Sequence, residues 1–365
     1  MKKIVLTVTT DLVFDQRMRR ICGSLSKAGY DVLLVGRKKK NSPPLNKEPF
    51  QQLRLKCIFE KGKLFYTEYN IRLFFFLLNQ PSDVICGIDL DTLLPAYLVA
   101  KLRRKPIVYD AHEYFTEMEE VVSRPLVKMI WKWIERIAVP NVDAAYTVSN
   151  GYSDLFQKEY KTKFSIVRNV TVLSSEIPQK KDEPLVLYQG AVNYGRGLFN
   201  VVRAMENIDG KLMICGMGDI FDELQILSKS LGLESKITFA GYIQPAELLQ
   251  YTRRAKVGLT IFEADGLSNK YSLANRFFDY FHSGVPQIAM SYPDYKEFNS
   301  HYEVASLIDN LDPFTLSSSI NRLLKDDVYY SKIFENTLLA RQEVNWQNEE
   351  KVLLGVYQKL FTRTK

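Results

Sequence analysis

Residues 262–289 read FEADGLSNKYSLANRFFDYFHSGVPQIA, and the passage from strand through turn to helix in this stretch decides the fold. The apolar run KVGLTIF (256–262) leads into a polar turn containing Gly266. Ser272 then stands where a helix N-cap belongs, three residues before Asn275 and just ahead of an aromatic-rich segment, which predicts a helix over 273–283. Gly284 and Pro286 supply the stop, because glycine accepts the left-handed C-terminal conformation and proline cannot continue a helix. Leu273, Phe277 and Phe281 share one stripe of that helix, and Ser272, Asn275 and Asp279 share another. The first stripe is expected to pack and the second to face a ligand. A helix N-terminus carries unpaired amides and partial positive charge, so the turn from Gly266 to Ser272, with Lys270 beside it, is an expected phosphate site. Asp279, one to two turns deeper, is placed for sugar hydroxyls. The alternative is one more sheet-covering helix with Asn275, Arg276 and Asp279 solvated, and the rest of the chain has to decide.

A chain of 365 residues is too long for one ordinary core and fits two domains. Its 46% hydrophobic and 25% charged residues exclude a disordered chain. The net charge of +7 favours anionic partners without specifying one. Four cysteines without a CxxC pair and three histidines without zinc spacing argue against a metal site and for a reduced, cytoplasmic protein. The N-terminal MKKIVLTVTTDLVFD is broken by threonines and reads as a first strand, not a signal peptide. LFFFLL (73–78) is far below the ~20 residues a membrane span needs.

From the first strand onward, short apolar runs alternate with helical patterns, as in parallel βαβ units. KIVLTVT, DVLLVG, LRLKCIF, DVICGI, PIVYD, AAYTVS and SIVRNV are the expected strands of the first half. Helical patterns lie between them near 15–28, 65–79, 93–102, 118–137 and 152–159. VLSSEIPQKKDEP (172–184) reads as a linker. A second series follows, LVLYQGAV, KLMICG, KITFAGYI, KVGLTIF, QIAMS and VASLID, with helices near 197–207, 220–230, 245–254, 273–283 and 313–325. The tail over 329–360 is helical in pattern. The expected organisation is a doubly wound domain over 1–172, a second over 173–340 and a C-terminal helix over 341–365. Ligands of such sheets bind outside the carboxyl ends of the strands, so two such domains are expected to face each other across a cleft.

The loops at those ends carry the candidate chemistry. Gly190, Gly195 and Gly197 let a backbone approach a ligand, and Arg196 offers a charged fork suited to a diphosphate. Gly216 and Gly218 do the same after KLMICG but lack the third glycine of a dinucleotide fingerprint. His112 and Glu113 emerge after PIVYD, where imidazole can hydrogen-bond a hydroxyl and a carboxylate can orient it, or the histidine can simply cap the following helix. Asp15 with Arg17, and Asp89 with Asp91, either line the same region or cap helices. Trp131 and Trp133 with Lys128, Lys132 and Arg136, together with RKKK at 37–40, could rest on an anionic membrane; the alternative is core aromatics with solvated lysines.

Taken in order, GIDLDTLLPA, PIVYDAHEYFTE, YQGAVNYGRGL, LMICGMGD, ITFAGYI and NKYSLANRFFDYFHSGVPQI resemble the family 4 glycosyltransferases, retaining enzymes of the GT-B fold. The resemblance implies an α/β protein of two Rossmann-like domains. The second would bind a nucleotide-sugar donor through Gly190, Arg196, Gly216, Lys270, Tyr271, Ser272, Asn275 and Asp279. Arg196 matches the family's basic residue on the diphosphate, Asp279 takes the place of its ribose-holding glutamate, and His112, with Glu113, stands near the transferred sugar. The acceptor would be a saccharide or a lipid-linked one in cell-surface polysaccharide or glycolipid synthesis. The implied site has no metal and no cofactor, and no nucleic-acid partner is expected. Two departures stand out: Tyr271 occupies the place of the family's first glutamate, and TTDLVFD follows the first strand where a glycine pair is usual. They keep open a non-catalytic nucleotide-binding or scaffolding member of the same fold, and a nucleotide-sugar epimerase that needs no acceptor.

Overall fold

A computed structural model describes residues 1–263 and 266–363. Each expected strand run forms a strand: β1 (Lys3–Thr7), β2 (Asp31–Lys38), β3 (Gln51–Lys56), β4 (Val84–Ile88), β5 (Ile107–Ala111), β6 (Ala144–Thr147) and β7 (Ser165–Ile166). They form one parallel sheet in the order β3-β2-β1-β4-β5-β6-β7. Every residue of β4 and β5 is buried, as expected for a parallel sheet covered by helices on both faces. The covering helices are α1 (Gln16–Lys27), α2 (Gly62–Asn79), α3 (Asp89–Leu102), α4 (Glu119–Val122), α5 (Pro125–Ala138) and α6 (Asn150–Tyr160). The single helix expected over 118–137 is in fact two. Pro125 starts α5, and a residue before proline is driven out of the helical region; Arg124 sits at φ −129°, ψ 84°.

The second series gives β8 (Leu185–Gln189), β9 (Lys211–Cys215), β10 (Ile237–Gly241), β11 (Val257–Thr260), β12 (Gln287–Met290) and β13 (Ala305–Ile308), again parallel, in the order β10-β9-β8-β11-β12-β13. Its helices are α7 (Leu198–Ala204), α8 (Phe221–Ser230), α9 (Pro245–Thr252), α10 (Leu267–Lys270), α11 (Asn275–His282), α12 (Pro293–Tyr302), α13 (Pro313–Lys325) and α14 (Asp327–Glu343), and α15 (Trp346–Arg363) follows them in the chain. Neither α10 nor α12 was expected from the pattern. The helical tail is broken between α14 and α15, where Asn345 accepts the Asn348 amide through its side chain and starts a new helix.

The chain divides into two compact units, residues 1–169 with the chain from Glu349 onward, and Val170–Asn348. Glu349 accepts both the Arg168 amide and its guanidinium. Farther along α15, Tyr357 is fully buried with its ring 6.5 Å from that of Tyr146, and Phe361 stacks on Tyr30. Each sheet reverses its winding once, at β1/β4 in the first unit and at β8/β11 in the second. These reversals open a crevice at the carboxyl ends of the strands, where ligands of this architecture bind.

Candidate functional site

Helix α11 starts at Asn275, two residues later than the pattern predicts, and Ser272 does not cap it. The Ser272 hydroxyl donates to the Asn269 carbonyl instead, because the preceding turn has folded into α10 and needs its own carbonyls satisfied. Ala274 takes the cap position with no side-chain acceptor, and its amide donates to the Tyr295 hydroxyl. The stop falls where expected, with Gly284 at φ +68°. Leu273, Phe277 and Phe281 are buried, whereas Asn275 is exposed and Asp279 half-buried. Asp279 is already engaged within its own unit, accepting from the Thr171 hydroxyl at 2.8 Å and from the Gln189 amide at 3.2 Å.

The glycines prove necessary for a reason the sequence did not reveal. A Cβ on Gly216 would lie 1.8 Å from the Gly190 carbonyl oxygen, and one on Gly218 would lie 2.3 Å from that of Val192. What approaches them is the neighbouring loop: the Gly190 amide donates to Cys215 and the Val192 amide to Met217. Gly190, at φ +132°, would place a Cβ 2.9 Å from Arg276. Gly216→Ala is therefore expected to destabilise the protein by about 3 kcal/mol or more in urea unfolding, since neither backbone can retreat. A loss below about 1 kcal/mol would mean the loops are not locked.

Arg276, solvated in the alternative reading of this helix, is buried. It is 9% exposed, with Nη1 donating to the Gln189 carbonyl and Nη2 to that of Ile261, the C-terminal ends of β8 and β11. Its guanidinium stacks 4.7 Å from the Tyr188 ring centroid, and Nε has no hydrogen-bond partner among the described residues. Among the described residues no carboxylate forms an ion pair with it; burial works against its charge, and the tyrosines around it favour the charged form. A cation thus sits in the winding reversal of the second sheet. Arg196, held between Gly195 and Gly197 at positive φ, has no side-chain hydrogen bond or ion pair among the described residues, and neither does exposed Lys270. The Gly195 carbonyl accepts the Glu263 amide, which ties the Arg196 loop to the end of β11. Tyr271 and Ser272 are half-buried at the end of α10. The second unit therefore gathers positive charge and glycine turns at its reversal.

The first unit assembles a different cluster at its own reversal. His112 donates through Nε2 to Asp110 at 2.9 Å, its Nδ1 lies 3.5 Å from Asp89, and its amide donates to Asp89. Burial works against charging this ring, but Asp110 and Asp89 push its pKa up to about 9. At neutral pH it is an imidazolium with two donors and no lone pair to take up a proton. Burial also works against ionising Asp110, yet Arg17, paired with it at 2.9 Å, and His112 hold its carboxyl below the usual value. Asp91, buried and close to the Asp89 charge, is pushed up to about 7 even though Thr9 donates to it at 2.6 Å. Glu113 is exposed. Asp15 caps α1 by accepting the Met18 amide. The partnership of His112 with Asp110 was readable in principle, since residues two apart on a strand share a face.

Two Rossmann-like units with charged clusters at their winding reversals define the class, and solved structures agree. Sucrose-phosphate synthase from Thermosynechococcus elongatus superposes with a TM-score of 0.81 over 100% of both chains, at 18% identity. Anabaena HepE, solved with UDP-glucose, gives 0.77 over 98% of this chain and 100% of its own, at 11% identity. The fold is that of the GT-B glycosyltransferases. In sequence, an uncharacterised glycosyltransferase of Methanocaldococcus jannaschii is 26% identical over 186 residues, 48% of this chain and 45% of its own length. Residues 16–173 match the model of Glycosyltransferase Family 4 and residues 171–338 that of Glycosyl transferases group 1. The chain belongs to the family 4-type glycosyltransferases. No helix among the described residues is long and apolar enough to cross a membrane.

Proposed function

We propose that the protein transfers a sugar from a nucleotide-sugar donor to a saccharide or lipid-linked acceptor with retention at the anomeric carbon, in cell-surface polysaccharide or glycolipid synthesis at the cytoplasmic face of a membrane. The observation that carries this reading is Arg276, a buried guanidinium at the β8/β11 reversal that has no carboxylate partner among the described residues. Such a cation favours an anion in the adjoining crevice, and a diphosphate supplies one. Arg196 and Lys270, without side-chain partners among the described residues, and the start of α11 add to that field. In the transfer step negative charge grows on the leaving diphosphate as the anomeric centre becomes oxocarbenium-like, so fixed cations favour the transition state over the ground state. Asn275 and Tyr271 lie near the sugar in this reading, and Asp279 meets the ribose by exchanging its bond to Thr171 or Gln189. His112, charged and held by Asp110 and Asp89, donates a hydrogen bond to the transferred sugar, with Glu113 at the rim. These side chains and amides carry the phosphate charge without a resident metal or cofactor, and a chelator is expected to leave turnover unchanged.

Thermal unfolding with a panel of nucleoside diphosphates and their sugars tests the donor half. A ligand at about 100 times its dissociation constant stabilises the fold by about 2.7 kcal/mol. Stabilisation by one nucleotide sugar is expected, with uridine nucleotides first in the panel because HepE was solved with UDP-glucose. It is expected to disappear in Arg196→Ala and Asp279→Ala. No stabilisation by any member would sink the transferase reading. Binding without turnover on any acceptor would favour the second reading, a nucleotide-binding member without catalysis. The Asp279 carboxylate already satisfied by Thr171 and Gln189 is the observation that supports it.

A further inference from the structure

In the first unit α2 packs on α3 and α3 on α5, and Trp131 of α5 meets Tyr66 of α2 edge-on at 5.7 Å. With those faces turned inward, the opposite stripe of α5 is bare. Leu126, Met129, Ile130 and Trp133, at i, i+3, i+4 and i+7, are 70%, 62%, 55% and 57% exposed. Phe75 on α2 and Leu102 on α3 are exposed in the same layer. A folded chain seldom leaves so many large apolar side chains in water on adjacent helices unless something covers them.

The charges around the stripe indicate what covers it. The acids of these three helices are all engaged: Glu68 holds Arg72 and the Ile58 and Phe59 amides, Asp89 and Asp91 belong to the His112 cluster, and Glu135 is buried against Lys132 and Tyr160. Arg124 and Arg136, at the two ends of α5, have no ion-pair partner among the described residues. A groove of about 520 Å³ beside α5 brings Lys128, Lys132 and Arg136 together with Val122, Met129 and Trp133. The nearest exposed acids in sequence are Glu119 and Glu120, on α4, and Asp143, which accepts the Ile107 amide.

We propose that the outer stripe of α5, flanked by α2 and α3, docks on an anionic bilayer surface, the helix lying in the plane with its apolar side chains below the headgroups. Cations at the edge of an apolar stripe match lipid phosphates, whereas a second copy would bring the same cations against each other. The residues differ from those the sequence singled out. Trp131 is turned inward against Tyr66 and Phe115, and Lys128 and Lys132 are bound by Glu117, Glu135 and Glu159. On α5, Trp133 and Arg136 are the members of that set with no ring contact or ion pair among the described residues.

This inference extends the acceptor half of the proposed function toward lipid-linked saccharides. It is read without any nucleotide, so its failure and that of the donor reading are separable. The full chain is sedimented with phosphatidylcholine vesicles with and without phosphatidylglycerol. Binding to the anionic vesicles is expected to weaken with salt and with Arg136→Glu. Ile130→Glu combined with Trp133→Glu is expected to lower partitioning by at least about tenfold, with circular dichroism and thermal unfolding unchanged because both side chains are exposed. No binding to either vesicle, or equal binding by the double variant, overturns the proposal. So does a dimer in size-exclusion chromatography that the double variant dissolves without any vesicle binding, which would assign the stripe to a second copy.

Discussion

Arg276→Met is expected to cut nucleoside diphosphate affinity by about thirtyfold, a loss of about 2 kcal/mol, because it removes a buried cation from the β8/β11 reversal. The same change leaves the Gln189 and Ile261 carbonyls without their donor and is expected to lower stability by about 3 kcal/mol. The two effects part in Arg276→Lys. Lysine keeps the charge but lacks the fork that reaches both carbonyls, so affinity is expected to recover most of the way while stability does not. Calorimetric titration of both variants with the diphosphate selected by the thermal panel decides the matter. Unchanged affinity in a folded Arg276→Met would reduce this arginine to a clamp between two strand ends, and the donor reading would lose its main support.

Stability is expected to fall by roughly 3 kcal/mol as the solution is taken from about pH 6 to about pH 9.5, and most of that fall traces to His112. The folded pKa of His112 is raised to about 9, above its unfolded value. Its contribution is complete below the unfolded pKa, where the ring is protonated in both states. It shrinks as the unfolded chain gives up its proton first, and it is gone once pH passes the folded pKa. Asp91 pushes the same way: with a folded pKa raised to about 7, it favours the folded state only while protonated, and this too is lost as pH rises. Asp110, held below its ordinary value, acts only in acid. Urea unfolding across this range measures the slope, and His112→Gln is expected to remove more than half of it. An unchanged slope in the variant would mean that the His112 charge is not set by Asp110 and Asp89.

The strands were legible because a parallel sheet buried on both faces demands unbroken apolar runs, and VICGI or LVLYQ has no other use in a soluble domain. Helix ends were less legible. Ser272 is a good cap by type, but the residues before it had a competing use in α10. Pro125 carried a readable break that the long amphipathic pattern around it concealed. The site was legible in its loops and not in its charges. Lys270 and Arg196 could be placed from their turns, whereas Arg276 reads as a surface residue until α11 is packed on the sheet. Its neighbour one turn on, Tyr280, is pressed against Gly258, where a Cβ would lie 2.6 Å from the ring. Arginine and tyrosine four apart beside a strand glycine was the available signal for that burial. His112 could be placed at a strand end, but its two carboxylates come from different strand ends, and only the one on its own strand could be inferred.

The residues from Glu349 onward complete a unit whose other residues end at Asn169, so a stretch synthesised before Val170–Asn348 is finished only after it. Until α15 leaves the ribosome, Arg168 has no Glu349, and Tyr146 and Tyr30 lack the rings that cover them. The second unit, contiguous in sequence, can fold in the meantime, reversing the usual N-terminal-first order. A gene cut after residue 169 would therefore yield an open first half that aggregates. A stop codon ahead of Tyr357 would damage residues 1–169 more than the unit Val170–Asn348.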